Sequence, residues 1–215
     1  VVDHLSRYGR PITYDYLDEG WPLSYYQTIF ARHRGSAEMP SAARPFSHQL
    51  VGDLIARGVN MAPVLLHTGV SSLEIGEPPQ EERFEVPAST AWLVNQTREA
   101  GGLVVAVGTT VTRALETVAL PNGTVVARRG LTDLVLSSER PARVVDALVT
   151  GWHAAQASHL SLLEAVAGSE LVQRAYDGAI EAGYLWHEFG DSCLLLPRGR
   201  RRNGVSLVGG LRSRS

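Results

Sequence analysis

The strongest constraint on the fold is a short apolar run that passes through a glycine directly into a helical pattern. The run is Leu-Val-Val-Ala-Val at positions 103–107, and its length and valine content are typical of a strand covered on both faces. Gly108 ends the run, and apolar residues then recur at helical spacing over 111–119. Because helical and strand patterns alternate in this way, we predict an α/β fold with a mainly parallel sheet.

The same alternation continues along the rest of the chain. Ser47 is a typical N-cap, and the helical pattern after it stops at Gly58. Residues 59–67 are typical of a buried strand, in which Pro63 indicates an edge position or a bulge. Further predicted elements are a helix beginning at Ser89 or Thr90, a hairpin turn over 121–124, strand edges at 134–136 and 144–145, helices over 158–167 and 170–182 separated by Gly168, and a last strand over 192–196.

The composition excludes several classes of chemistry. The chain has 215 residues, all 20 of its basic Lys/Arg positions are arginine, and Cys193 is its one cysteine. The missing lysine excludes Schiff-base and pyridoxal phosphate chemistry and a P-loop lysine. The single cysteine excludes an internal disulfide, an all-cysteine zinc site and an iron–sulfur cluster. The histidines have no ligand spacing, so we predict no metal site.

Charge is unevenly distributed between the body of the chain and its end. Residues 198–215 contain six arginines and no acid, which leaves 14 arginines against 22 acids in residues 1–197. We interpret 1–197 as one domain and 198–215 as a disordered basic tail, with contact to nucleic acid as the alternative. No apolar run approaches the roughly 20 residues of a membrane span, and the first residues do not resemble a signal peptide. We therefore expect a cytoplasmic protein that makes no membrane contact.

The turn from Gly108 through Thr109 and Thr110 is the sharpest candidate for a ligand site. A helix that begins there presents free backbone N–H groups, a positive dipole end and two hydroxyls to a carboxylate, a ribose or a phosphate. The alternative is a well-capped helix in which Arg113 and Glu116 pair across one turn.

A second candidate site lies between Asp146 and His159. It combines the Asp146 carboxylate with Trp152 and His153, an arrangement that can stack a base and move a proton. The alternative is a core tryptophan, a capping histidine and an acidic turn residue.

Two further places complete the set of candidates. The stretch 184–191 interleaves aromatic residues with Glu188 and Asp191, as at the rim of a pocket, although a Gly-Asp turn is common without function. His67 ends a predicted strand before a loop of small residues, where ligands of α/β sheets commonly bind. A structural, hydrogen-bonded histidine is the alternative for His67.

In order and spacing, these places resemble the S-adenosylmethionine:tRNA ribosyltransferase-isomerases of queuosine biosynthesis from about residue 8 to residue 197. The stretches that carry the resemblance are Tyr26-Gln27-Thr28-Ile29-Phe30-Ala31, Leu66-His67-Thr68-Gly69, Ala106-Val107-Gly108-Thr109-Thr110, Arg113-Ala114-Leu115-Glu116, Thr132-Asp133-Leu134, Val144-Val145-Asp146-Ala147-Leu148, Trp152-His153, Glu164-Ala165-Val166-Ala167-Gly168 and Gly190-Asp191.

The resemblance implies a fold and a reaction. The fold would be the C-terminal portion of a barrel-like α/β core. The N-terminal portion of the family fold and its inserted β-rich domain would be absent from these residues, and the N-terminal portion would lie in the same or another chain. S-adenosylmethionine would be the ribosyl donor, with no separate cofactor, and tRNA would be a partner. The aminomethyl group of a deazaguanine in the tRNA would attack the ribose, adenine and methionine would leave, and epoxyqueuosine would form.

The resemblance also implies roles for individual residues. The Gly108 turn would hold the methionine carboxylate or a ribose hydroxyl, and Trp152 would stack on adenine. His153 or His67 would be the base, with Asp146 as the next candidate. The residues expected to bind substrate are Gly108, Thr109, Thr110, Arg113, Trp152, Glu188 and Asp191.

The chain departs from the family pattern in ways that support a second hypothesis. Pro45 stands where the family has a histidine, the segment 78–84 shortens a stretch that carries two more, and Gly151-Trp152-His153 replaces Asn-Phe-His. The second hypothesis is a paralogue that binds S-adenosylmethionine or a nucleoside without catalysis, and the first hypothesis can include a changed acceptor. Calorimetry followed by an assay for adenine release separates binding from turnover.

Overall fold

A computed structural model describes residues 2–12, 21–69, 80–153, 159–186 and 189–197 of the chain. The predicted tail over 198–215 and the candidate Glu188 lie outside these ranges. The helices are α1 (Val2–Tyr8), α2 (His48–Ala56), α3 (Ala88–Glu99), α4 (Thr109–Thr117), α5 (His159–Ala167) and α6 (Ser169–Glu181), with short 3-10 turns at Leu23–Tyr26 and Ser41–Ala43. The strands are β1 (Leu65–His67), β2 (Glu82–Val86), β3 (Val105–Val107), β4 (Arg128–Thr132), β5 (Ala147–Gly151) and β6 (Ser192–Leu195).

The described strands form two three-stranded sheets with different pairing. In the first sheet, β2 pairs antiparallel with β1 and with β4, so that Arg83 lies opposite both His67 and Leu131. In the second sheet, β5 lies between β3, which is parallel to it, and β6, which is antiparallel.

These pairings confirm the α/β class and correct the finer prediction. The prediction of mainly parallel strands is wrong, because β3–β5 is the one parallel pair among the described strands. The two sheets are also separate and open, so the described strands do not close into a barrel. Strands β2 and β4, which the sequence patterns missed, account for both antiparallel pairs of the first sheet.

One hydrophobic core joins the two sheets. Phe84 and Val86 from β2 belong to the same buried cluster as Leu148 from β5 and Leu163 from α5. Helix α4 packs on strands of both sheets, and this places its first turn where the two sheets meet. Among the described residues, no helix combines the length and the apolar character needed to cross a bilayer.

Several local predictions are confirmed, and two are wrong. The Ser47 hydroxyl accepts the Leu50 N–H at 3.0 Å and caps α2, and α5 and α6 meet at Gly168, whose φ is +83°. Of the strand predicted over 59–67, only Leu65–His67 is a strand, and its three residues are partly buried. The segments 134–136 and 144–145 are not strands. Leu134, Leu136, Val144 and Val145 are buried in irregular backbone, whereas Val135 is 49% exposed. Short buried apolar runs are also typical of strands, which explains the prediction.

Candidate functional site

The turn at Gly108 joins β3 to α4 at the carboxyl end of the parallel strand pair. The Gly108 N–H donates to the Val149 carbonyl at 2.9 Å, which fixes the turn on β5. Its φ of +103° lies in the region that favours glycine. Among the described residues, a Cβ built on Gly108 would have only the Ala42 Cβ within 4 Å, at 3.8 Å, which is an ordinary van der Waals contact.

The half-buried Thr110 connects this turn to a buried ion pair between Arg113 and the β2 residue Glu82. The Thr110 hydroxyl donates to Glu82 Oε1 at 3.0 Å, and Arg113 forms an ion pair with Glu82 Oε2. Burial raises the pKa of Glu82 and lowers the pKa of Arg113, and in each case the opposite charge of the partner counteracts the shift. The network therefore ties the first turn of α4 to the first sheet.

The alternative interpretation, in which Arg113 and Glu116 pair across one turn, is wrong, because each side chain has a separate set of contacts. Besides Glu82, the Arg113 guanidinium donates to three backbone carbonyls, those of Gln80, Thr132 and Leu134, at 2.9–3.0 Å. The Glu116 carboxylate instead accepts three backbone N–H groups, those of residues 143–145, at 2.8–2.9 Å. Both side chains are buried, so their contacts are structural and the guanidinium is already occupied.

A segment over 35–44, here called the wall segment, runs along one side of the Gly108 turn. At one end, Ala37 N–H donates to the Thr68 carbonyl and the Thr68 hydroxyl donates to the Glu38 carbonyl, both at 2.9 Å. At the other end, the wall segment faces Gly108 through Ala42. It therefore connects the loop after His67 with the start of α4.

His67 ends β1 and packs against the wall segment. A Cβ on Gly35 would lie 2.6 Å from His67 Nδ1, so only a glycine allows this approach. Nδ1 is buried and has no hydrogen-bond partner in the described structure. Burial, Arg83 and His33, in this order, lower the pKa of His67, which keeps the imidazole neutral at neutral pH. A cavity of about 20 Å³ beside it is too small for a nucleoside.

Trp152 and His153 follow β5 and are almost fully buried. The Trp152 ring packs edge-on against Tyr176 and Trp186 and is stacked on Tyr184. At 5% exposure it offers no open face to an adenine, which favours the alternative of a core tryptophan. His153 Nε2 lies 3.0 Å from the Thr150 hydroxyl, and its ring is stacked on His159 at 4.3 Å.

The two acidic candidates in the described residues lie at opposite ends of β5. Asp146 precedes the strand, and its carboxylate accepts the Val104 N–H at 3.0 Å in a buried position. Asp191 lies beside the carboxyl end, since its neighbour Ser192 pairs with Gly151. There its carboxylate accepts the Leu185 N–H at 2.8 Å and closes the loop before β6.

The structure thus brings together part of the predicted set. Gly108, Thr109, Thr110, His153 and Asp191 share one edge of the second sheet. His67 instead ends a strand of the first sheet and packs against the opposite end of the wall segment, at Gly35. Sequence reasoning missed Glu82, although it alternates with Phe84 and Val86 and therefore belongs to the buried face of β2. Within the described ranges, no cluster of three His, Cys, Asp or Glu side chains is arranged to hold a metal ion.

The fold and the site define an α/β protein whose candidate ligand site lies at a strand-to-helix turn. A family model described as "Queuosine biosynthesis protein" matches residues 1–195. The chain belongs to this family.

Individual relatives agree with this assignment. An S-adenosylmethionine:tRNA ribosyltransferase-isomerase of Symbiobacterium thermophilum is 38% identical over 203 residues, which are 89% of this chain and 59% of the relative. One from Thermotoga maritima is 37% identical over 87% of this chain and 58% of its own length. The chain thus spans about three fifths of the length of these curated relatives.

A solved structure shares the fold. The crystal structure of an S-adenosylmethionine tRNA ribosyltransferase from Thermotoga maritima is 36% identical and superposes with a TM-score of 0.59. The match covers 72% of this chain and 51% of that chain.

Proposed function

We propose that this chain carries the S-adenosylmethionine site of an S-adenosylmethionine:tRNA ribosyltransferase-isomerase of queuosine biosynthesis. The observation that carries the proposal is the family match over residues 1–195. It is supported by the Gly108 turn and Asp191, which lie at the same edge of the second sheet. The acceptor would be the 7-aminomethyl-7-deazaguanine of a tRNA, whose amine attacks the ribose while adenine and methionine leave. The remaining portion of the family fold would be supplied in the same or another chain.

The Gly108 turn is proposed to bind S-adenosylmethionine. The first N–H groups of a helix have no partner within the helix, and they meet a positive dipole end. Gly108 adds to this because its missing side chain leaves the backbone accessible. Thr109 and Thr110 supply two hydroxyls next to these N–H groups.

His67 is the better of the two proposed bases. A base must be neutral to accept a proton, and the lowered pKa of His67 meets this requirement at neutral pH. Because Gly35 covers Nδ1, Nε2 is the nitrogen that would take the proton from the carbon next to the sulfonium. His153 is buried and its Nε2 is within hydrogen-bond distance of Thr150, which favours a role in holding the chain at the end of β5.

The proposal excludes three predicted residues from direct contact with substrate. Arg113 is occupied by Glu82 and three carbonyls. Trp152 is enclosed by other rings, and Asp146 lies at the far end of β5. The role of Glu188, outside the described residues, remains a prediction.

Two glycines at equivalent backbone positions provide the test of the Gly108 site. Gly108 and Gly168 both precede a helix with positive φ, and neither has a close neighbour at its Cβ position. Gly108→Ala and Gly168→Ala should therefore lose a similar free energy of unfolding, about 1 kcal/mol or somewhat more, from backbone strain. Only Gly108→Ala should weaken binding of S-adenosylmethionine, by tenfold or more, in calorimetry. Equal affinities of the two variants would contradict the proposal.

A non-catalytic, ligand-binding paralogue is the second candidate function, and Pro45 at a family histidine position favours it. Binding of S-adenosylmethionine without release of adenine, measured with a deazaguanine-containing tRNA present, would support this candidate.

A further inference from the structure

The hydroxyl of Thr110 has a fixed hydrogen-bonding direction. A threonine hydroxyl has one hydrogen to donate and two lone pairs to accept with. Its hydrogen points to Glu82 Oε1 at 3.0 Å. An ionised carboxylate can only accept, so this contact commits the Thr110 hydrogen and leaves the lone pairs for any further partner.

The ion pair with Arg113 favours the ionised form of Glu82 and counteracts the burial that raises the pKa of this carboxyl. The two side chains form a buried ion pair, and the Glu82 side chain has 11% of its surface exposed. The three backbone carbonyls that also bind the guanidinium hold it in place. The pair is therefore fixed by the first sheet and does not depend on a ligand.

The same contacts make the surface near Thr110 unsuitable for a ligand carboxylate. The Arg113 guanidinium is turned away into its own contacts, and Glu38 is close enough to raise the pKa of Glu82 further. Thr110 itself is half-buried and keeps part of its surface accessible. An acceptor oxygen that is already bonded to the Glu82 carboxylate is matched by a hydroxyl or an ammonium group.

We propose that Glu82 is a positioning residue that fixes the Thr110 hydroxyl as a hydrogen-bond acceptor, so that this subsite takes a donor group of the ligand, a ribose hydroxyl or the α-ammonium, and not the carboxylate. This inference rests on the proposed function, since it assumes that S-adenosylmethionine binds at the Gly108 turn. It changes the expected orientation of the ligand, because the carboxylate would then bind the backbone N–H groups and the Thr109 hydroxyl instead of Thr110.

The test compares the full chain with Thr110→Val and Thr110→Ser by calorimetry. Thr110→Val keeps the shape and removes the hydroxyl, so affinity for S-adenosylmethionine should fall about two- to tenfold for a ribose hydroxyl and up to about 150-fold for the ammonium. Thr110→Ser should restore most of the affinity. Melting temperatures of both variants serve as the check on folding. Equal affinity of Thr110→Val and wild type would overturn the inference and leave the Gly108 site standing.

Ligand analogues identify the group that Thr110 binds. Three analogues of S-adenosylmethionine are compared, which lack the 2′-hydroxyl, the 3′-hydroxyl or the α-ammonium. For the one that lacks the group bound by Thr110, wild type and Thr110→Val should have about equal affinity. The difference in affinity should persist for decarboxylated S-adenosylmethionine. A difference that persists for all three donor-lacking analogues, or that disappears with the carboxylate, would overturn the inference. No binding of S-adenosylmethionine by the wild-type chain would overturn the proposed function, and the inference with it.

Glu82→Gln tests whether Glu82 acts through Thr110. An amide at this position can donate to the Thr110 oxygen, which releases the hydroxyl from its fixed direction. Affinity should fall in Glu82→Gln, and adding Thr110→Val should then cost little more. Fully additive losses of affinity would show that Glu82 does not act through Thr110. If Glu82→Gln fails to fold, the comparison of Thr110→Val with Thr110→Ser still tests the subsite.

Discussion

At the level of single residues, the buried pair of Arg113 and Glu82 carries the largest electrostatic cost in the site. Taking both charges out of water is unfavourable, and the pair is stable only because each group is also hydrogen-bonded. Glu82 receives the Thr110 hydroxyl, and Arg113 reaches three carbonyls. Removing either partner therefore leaves the other one charged, buried and unpaired.

Arg113→Ala should accordingly be strongly destabilising. We expect the free energy of unfolding to fall by about 3–5 kcal/mol, the range for breaking one partner of a buried pair. The matched control is Arg174→Ala, which breaks the exposed i,i+4 pair with Glu170 and should change stability by less than about 0.5 kcal/mol. Urea unfolding of both variants measures the difference. Similar small losses in the two variants would show that the Arg113–Glu82 pair contributes no more than a surface contact.

The pH dependence of adenine release should identify the base at residue level. A base loses activity when it is protonated, so the rate should fall as the pH drops through the pKa of the base in the enzyme. Burial lowers the pKa of His67, so we expect this fall below about pH 6.5, the ordinary pKa of a histidine. His67→Gln should remove the inflection, and His153→Gln should leave it in place. An inflection that survives in both variants would assign the proton transfer to a different residue.

The same shift has a consequence for stability with a definite sign. Because the folded-state pKa of His67 is lowered, its neutral form is favoured on folding. The contribution of neutral His67 to the free energy of unfolding is therefore fully present above the pKa of the unfolded state. It is lost as the pH falls through the lower pKa of the folded state.

At the level of elements, the sequence predicted the helices well and half of the strands poorly. Gly108 and Gly168 marked the starts of α4 and α6, because a glycine with positive φ is a local requirement that shows in the sequence. Strand β4, Arg-Arg-Gly-Leu-Thr, has too few apolar residues to be recognised, and it is ordered by pairing with β2. Tertiary contact here overrides local propensity.

The candidate site was predictable from the sequence only where it depends on local features of the chain. The Gly108 turn is a local feature and could be read from the sequence. Trp152 is buried by Tyr176 and Trp186, which lie 24 and 34 positions further along the chain. Glu82 and Arg113 are 31 positions apart. No local sequence pattern contains contacts of this range. Glu116 illustrates the same limit, since its three partners over 143–145 belong to a segment whose apolar residues imitate a strand.

At the level of the whole molecule, one core supports both sheets and hence the site between them. Phe84 and Val86 from the first sheet share this core with Leu148 and Leu195 from the second. Because α4 packs against both sheets, we expect a substitution that destabilises either sheet to destabilise the turn at Gly108 as well. The chain is therefore expected to unfold as a single cooperative unit.

Leu163→Ala tests this cooperativity. Leu163 is fully buried on α5 within the shared core, so its truncation should cost about 2–5 kcal/mol through lost burial and a residual cavity. The matched control is Ile180→Ala on α6, where the side chain is 64% exposed and its loss should change stability by about 0.5 kcal/mol or less. Far-UV circular dichroism reports the helices, whereas the fluorescence of the four tryptophans reports tertiary packing, mainly through the buried Trp152. If one core supports both sheets, the urea midpoints of the two signals should coincide in the wild type and move together in Leu163→Ala. A shift in only one of the two signals would show that the sheets unfold separately.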